Sequence, residues 1–297
     1  MNGADKYQPR RAMREARHRV RGVDYRICEW GDPGRAPVFF LHGWGDVAST
    51  FQFVADELDE KIRIVAPDWR GFGKSGQSGP AYWFPDYLAD LNALLDIYSP
   101  DEPVTLVGHS MGANVAGLYA GALPDRVAAF VNIEGFGLAP TDPSTAPENY
   151  RRWIERGRVG ERFSTYSSYA DLAARLIGRN PRLTEARALF VAEQWARVDQ
   201  DGVVRLRADA AHKLPNAVLY RREEAEACWQ AVTARVLLVT GAETDFRPAI
   251  KSWLDPDPTR HPFPGAPTEV VPNAGHMVHF DAPEALAAIL SRFLAEV

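Results

Sequence analysis

Short apolar runs recur along the first half of the chain, and most are followed by a stretch with helical spacing. The segments 38–41 (VFFL), 62–66 (IRIVA), 104–108 (VTLVG) and 127–133 (VAAFVNI) have the β-branched, unalternating composition of strands buried on both faces. Between them, 50–58 reads as a helix. The segment 87–98 (YLADLNALLDIY) sets leucines 88, 91, 94 and 95 on one helical face. The small, apolar segment 111–122 (MGANVAGLYAGA) is a third helix. Ahead of these, 20–30 (VRGVDYRICEW) predicts a β-hairpin turning at Arg21 and Gly22, closed by GDPGRAP. This alternation of strand and helix predicts a parallel sheet covered by helices on both faces.

The alternation breaks near Gly137. From there the chain is proline-punctuated, rich in arginine and without β-branched runs, and its aromatics fall on helical-looking segments such as 169–177 and 185–198. Residues 138–227 therefore read as an inserted helical cap, with 20–137 and 228–297 as the α/β core. Strand signals return at 236–240 and 268–271, and a last helix follows over 283–294, where Pro283 suits the first helical turn. The basic stretch 1–19 lacks the apolar region of a secretory signal and reads as a flexible, solvated leader.

Composition narrows the function classes. A net charge of −5 gives no electrostatic reason to expect nucleic acid, and no run of about 18 apolar residues predicts a membrane span. The two cysteines, Cys28 and Cys228, have no metal-ligand spacing and read as reduced thiols of a cytoplasmic protein. Eight tryptophans and fourteen phenylalanines are enough to line an apolar pocket for a small-molecule substrate.

The stretch VTLVGHSMGAN carries the chemistry. Ser110 lies between glycines two residues away on each side, after a strand and before a helix, as in a G-x-S-x-G nucleophile elbow. A serine hydroxyl needs a base, and the base needs an orienting acid. Of seven histidines, His276 in PNAGHMVHF follows a strand and precedes the last helix, where a loop can carry an imidazole over a central strand end. His279 is its near neighbour. His18, His212 and His261 lack such a setting, while His42 and His109 suit loop bracing, His109 also being placed beside the substrate. Asp245, in GAETDF after the 236–240 strand, is the preferred acid because it gives the order Ser, Asp, His. Glu134, at the end of the strand next to the elbow, is the alternative, and Glu243 a third candidate. The amides of Met111 and of Trp44 in HGWGD are the expected oxyanion donors, with the Trp44 side chain facing pocket or core. PDWRGFGKSG carries glycines, Lys74 and Ser75 but lacks phosphate-loop spacing, so Asp68 and Arg70 are read as an ion pair or a brace. No histidine or carboxylate pair has metal-ligand spacing on a helix face.

Taken in order, HGWGD, PDWRGFGKSG, GHSMGAN, GAETD and AGHMVHF make the chain resemble a capped serine hydrolase of the α/β-hydrolase superfamily. The resemblance implies an eight-stranded, mostly parallel sheet, a helical lid after the sixth strand and no cofactor. It also implies Ser110 as nucleophile, His276 as base, and Met111 and Trp44 as amide donors. The family's acid stands three residues after the glycine, where this chain has Thr244, and this departure keeps Glu134 beside Asp245. A serine nucleophile implies carbonyl substrates, because attack at an alkyl carbon would leave an ether that water could not readily cleave. Carboxylic-ester hydrolysis through an acyl-serine is the expected activity, with carbon–carbon bond hydrolysis of a dienone or diketone acid and non-catalytic ligand binding as alternatives.

Overall fold

The computed structural model describes residues 6–249 and 262–297. Its strands are β1 Arg14–Val20, β2 Val23–Trp30, β3 Pro37–Leu41, β4 Arg63–Pro67, β5 Val104–His109, β6 Val127–Ile133, β7 Thr165–Tyr166, β8 Ala196–Val198, β9 Val204–Leu206, β10 Arg235–Gly241 and β11 Thr268–Val271. The helices are α1 Gln52–Ala55, α2 Pro85–Tyr98, α3 Met111–Ala122, α4 Ala146–Val159, α5 Tyr169–Arg179, α6 Glu185–Trp195, α7 Arg222–Gln230, α8 Val278–Asp281 and α9 Pro283–Leu294.

An eight-stranded sheet runs in the order β1-β2-β4-β3-β5-β6-β10-β11. The hairpin strands β1 and β2 are antiparallel to their neighbours, and the remaining pairs are parallel. Because strand side chains alternate between faces, the apolar runs feed two cores at once. Phe39, Leu106, Phe130 and Leu238 pack on one face with α2, α3 and α7, while Phe40, Val107, Val131 and Val239 pack on the other with α1 and α9. Each such side chain contributes about 1.5–3 kcal/mol on burial, so the unalternating runs are what hold the sheet between its helix layers.

Three expectations shift. The basic stretch is no solvated leader from residue 6 onward. Its arginines mask a period-2 pattern in REARHRV, which is the edge strand β1, with Ala16 packed on the core and Arg19 paired outward with Asp24 at 2.9 Å. A charged edge of this kind also discourages pairing with another chain. Ahead of it, Tyr7 donates to Asp56 at 2.5 Å, and the Arg11 amide donates to the same carboxylate at 2.7 Å. Secondly, the excursion after β6 is not wholly helical, since β7, β9 and β8 form a small antiparallel sheet of their own. Finally, its far boundary falls before 227, because α7 begins at Arg222 and buries Ala225 and Trp229 in the main core.

The excursion has its own apolar cluster, including Leu172, Leu183, Ala188, Val191 and Val204, joined to the core by Phe53 and Phe280. It is also bound to the loop after β4. Gly73 N donates to Arg207 O at 2.7 Å and Asp209 N to Gly71 O at 2.8 Å, and the His212 ring stacks between Phe72 (3.8 Å) and Tyr82 (3.6 Å). Burial lowers the His212 pKa from 6.5 to about 4. The unfolded chain therefore takes up this proton below about pH 6.5 and the folded chain only below about 4. Stability from a neutral His212 is complete above that window and is lost as pH falls through it. Urea midpoints at about pH 4–7 should show His212→Phe, which keeps the stack but cannot titrate, with a shallower acid slope by about one proton. Equal slopes would refute this role.

Candidate active site

The elbow is built by close packing. Ser110 has φ 51 and ψ −114, a left-handed backbone that an L-residue adopts only when its surroundings enforce it. A Cβ at Gly108 would stand 2.5 Å from Ala113 Cα, and one at Gly112 would stand 2.1 Å from Leu41 O. Both neighbours are backbone atoms that cannot swing away, so both glycines are obligatory. Ser110 N donates to Ile133 O at 2.8 Å, which ties the elbow to the end of β6.

A second left-handed residue stands there. Glu134 has φ 58, and the side chain of Asn132 clamps its turn by accepting from Gly135 N at 2.8 Å and donating to Gly135 O at 2.9 Å. The turn aims the Glu134 carboxylate at the loop between β11 and α8. There His276 Nδ1 donates to Glu134 Oε2 at 3.0 Å, and His276 Nε2 accepts from Ser110 Oγ at 3.0 Å. The carboxylate sets the tautomer, leaving the Nε2 lone pair facing the serine hydroxyl. Ser110, His276 and Glu134 thus form one hydrogen-bonded chain.

The preferred acid lies elsewhere. Asp245 is exposed one residue beyond Thr244, and it is Thr244 that turns inward, donating to Glu134 Oε2 at 2.7 Å. The one-residue offset from the expected acid position is what carries Asp245 out to the surface. Glu243 is also exposed and binds Arg182, whose Nε donates to it at 3.2 Å.

The two expected amide donors flank this site. Among the described residues, neither the Met111 nor the Trp44 N–H has an acceptor. The Trp44 ring is exposed, with Phe72 at 6.4 Å and Phe163 of the excursion at 6.3 Å. On the other side Phe246 lies 4.7 Å from the His276 ring and 5.0 Å from Phe136.

The remaining histidines brace loops or lie outside. His109 is buried instead of facing substrate, and its Nε2 donates to His276 O at 2.9 Å. Burial, followed by the neighbouring His279 and His276, holds its pKa well below the ordinary value. His42 donates through Nδ1 to Gly43 O at 2.8 Å and accepts from Trp69 N at 2.9 Å, joining the Trp44 loop to the loop after β4. His18 meets Tyr98 at 3.1 Å, and His261 is outside the described residues. Asp68 pairs with Arg26 at 3.3 Å, while Arg70 pairs with Asp90 at 2.5 Å, so these two expected partners do not meet.

Sequence reasoning missed Asp46, which is buried where three segments meet. It accepts from His279 at 3.0 Å, Thr50 at 2.9 Å and Trp195 Nε1 of α6 at 2.7 Å. Burial would raise its pKa, but the hydrogen bond and charge of His279 outweigh burial and leave it lowered. Ligand atoms of Asp46, His109 and His279 lie within 4.8 Å of one another. His279 Nε2 and Asp46 Oδ2 are spent on each other and His109 Nε2 on His276 O, while His109 Nδ1 and His279 Nδ1 are buried without a hydrogen-bond partner among the described residues, and a Cβ at Gly43 would come within 2.9 Å of His109 Nδ1. The cluster is therefore a loop brace.

A strained serine elbow at the carboxyl end of a mostly parallel sheet, with an imidazole on its hydroxyl, defines a hydrolase of the α/β class. A family model described as alpha/beta hydrolase fold matches residues 36–283, and the chain belongs to this family. Among its relatives, a serine hydrolase-like protein of Danio rerio is 29% identical over 302 residues, covering 96% of this chain and 89% of that protein. A 2-(acetamidomethylene)succinate hydrolase of Mesorhizobium japonicum is 27% identical over 268 residues, covering 89% and 90%. Among solved structures, the thioesterase domain from the curacin biosynthetic pathway superposes with a TM-score of 0.80 at 25% identity, covering 94% of this chain and 99% of that one. No helix among the described residues is long and apolar enough to cross a membrane.

The geometry ranks the two carboxylates. Glu134→Gln is expected to lower kcat by about 10³–10⁴-fold, and Asp245→Asn by less than about 3-fold. Steady-state kinetics of both variants on one substrate check the order, and a larger loss from Asp245→Asn would reverse it.

Proposed function

We propose that this hydrolase cleaves carboxylic esters of apolar character through an acyl-serine intermediate. The observation that carries the reading is the Ser110–His276–Glu134 chain, with two 3.0 Å contacts in line. Ser110 Oγ attacks the ester carbonyl carbon while its proton passes to His276 Nε2. The negative charge that forms on the carbonyl oxygen is received by the Met111 and Trp44 amides, each donor being worth about 3–4 kcal/mol in the transition state. Collapse breaks the bond to the alcohol oxygen, which takes the proton from His276. Water then attacks the acyl-serine with the same imidazole as base, releasing the acid and restoring Ser110. Glu134 holds the imidazole in place and stabilises its charged form.

The excursion at 138–221 acts as the cap in this reading. Trp44, Phe163, Phe136 and Phe246 offer apolar surface around the serine, which favours an apolar acyl or alcohol group. The relatives named for thioester and acetamidomethylene substrates are in keeping with attack on a carbonyl. Carbon–carbon bond hydrolysis of an acid would call for a cap arginine free to meet a carboxylate. Of the cap arginines, Arg182 and Arg187 are engaged by Glu243 and Glu284, and Arg222 at the start of α7 is engaged by the Phe136 carbonyl.

Incubation with a fluorophosphonate is expected to add one phosphonyl group on Ser110, read by peptide mass. The adduct should be absent from Ser110→Ala, whose p-nitrophenyl butyrate hydrolysis should fall by about 10⁵-fold or more. A folded enzyme that hydrolyses the ester yet takes no adduct on Ser110 would refute the mechanism.

A further inference from the structure

The Glu134 carboxylate is bound more heavily than the task of orienting one imidazole requires. Its Oε1 accepts from the Thr240 hydroxyl and from Gly241 N at 3.0 Å. Its Oε2 accepts from the Thr244 hydroxyl at 2.7 Å and from His276 Nδ1 at 3.0 Å. Three of these four donors belong to the end of β10 and the turn after it, not to the strand that carries Glu134. That turn is pressed onto the base loop. Glu243 N donates to Ala274 O at 2.8 Å, and a Cβ on Gly241 would come within 2.3 Å of the same carbonyl. The donors and the imidazole therefore form one buried pocket that accepts a carboxylate and is independent of β6.

Thr244 is the informative member. It stands three residues after Gly241, where the family pattern carries its aspartate, and it is buried with 3% exposure. Its hydroxyl and His276 Nδ1 meet on the same oxygen of Glu134. A carboxylate rooted at position 244 would therefore reach the space that Oε2 fills, and it would find the Thr240 hydroxyl and Gly241 amide waiting. Phe246 N already donates to the Thr244 hydroxyl at 3.3 Å, a turn that an aspartate oxygen closes equally well. At the other root, φ 58 is a conformation that glycine adopts more easily than glutamate, so the side chain at 134 can be removed without straining the backbone further.

We infer that Thr240, Gly241 and Thr244 form a carboxylate socket that positions an acid against His276 whether the acid is supplied from position 134 or from position 244. Thr244 is the positioning residue that holds Glu134 in the native arrangement. The inference rests on the reading of Ser110, His276 and Glu134 as the catalytic chain.

The test uses full-length Glu134→Gly, the double variant Glu134→Gly/Thr244→Asp, and Thr244→Val beside Thr244→Ser, all assayed for kcat and KM on p-nitrophenyl butyrate with melting curves alongside. Glu134→Gly should lower kcat by about 10³-fold or more, and Thr244→Asp in that background should recover at least about 30-fold of it with KM nearly unchanged. Sodium formate should rescue Glu134→Gly saturably, because the emptied socket keeps its donors. Thr244→Val should lower kcat by about 10-fold at constant KM, and Thr244→Ser should restore it. Retained wild-type kcat in Glu134→Gly would overturn the catalytic reading itself. A large loss in Glu134→Gly that neither the added Thr244→Asp substitution nor formate restores, in protein that melts normally, would overturn the socket alone. Should the double variant fail to fold, the formate titration and the Val and Ser pair decide in the same way.

Discussion

The hydrogen bond from Ser110 N to Ile133 O joins two turns that each hold a non-glycine residue at positive φ. On one side of it Ser110 is held at φ 51, and on the other Glu134 is held at φ 58. Conformations of this kind cost about 1–3 kcal/mol each for a side-chain-bearing residue and persist only where packing leaves no alternative. Here the packing is backbone against backbone at Gly108 and Gly112 on one turn, and on the other it is close at Gly135, whose Cβ would meet that of Ala113 at 2.4 Å. Because β5 and β6 are neighbours in register, the strain places a hydroxyl and a carboxylate on the same edge of the sheet, with room for one imidazole between them.

Around that pair the loops are held by buried polar contacts that never touch the reacting atoms. His109 supports the carbonyl of His276, His42 links the Trp44 loop to Trp69, and Asp46 joins the Trp44 loop to His279 and to Trp195. Asp46 thus connects the amide-bearing loop, the base loop and the excursion through one carboxylate. Such groups are costly to bury unless every partner is present, and so they hold the loops in one relative position. The preorganisation of amides and imidazole follows from this bracing.

Much of the architecture was legible because it depends on local chemistry. Buried parallel strands need long apolar runs, and the elbow needs glycines at fixed offsets, so β3 to β6, α3 and the turn at Ser110 follow from the chain alone. The edge strand β1 was obscured because only Ala16 and Val20 of its seven residues are apolar, and the small sheet β7-β9-β8 because strands of two or three residues carry almost no pattern. His276 could be chosen by its place before the last helix. Asp46 had no signal beyond its motif, since its role arises from residues between 4 and 233 positions away.

The carboxylate shows where sequence stops. The chain by itself singled out Ser110, His276 and the amides of Met111 and Trp44, because each is tied to a local turn whose geometry its own neighbours dictate. It also offered two strand ends with an acid near the expected place, and chain order favoured Asp245. Only the tertiary structure shows which of them meets His276, since that reach depends on which side chain the turn after β10 points inward. That turn points Thr244 inward and Asp245 outward, while β6 lies close enough for the longer glutamate to fill the gap.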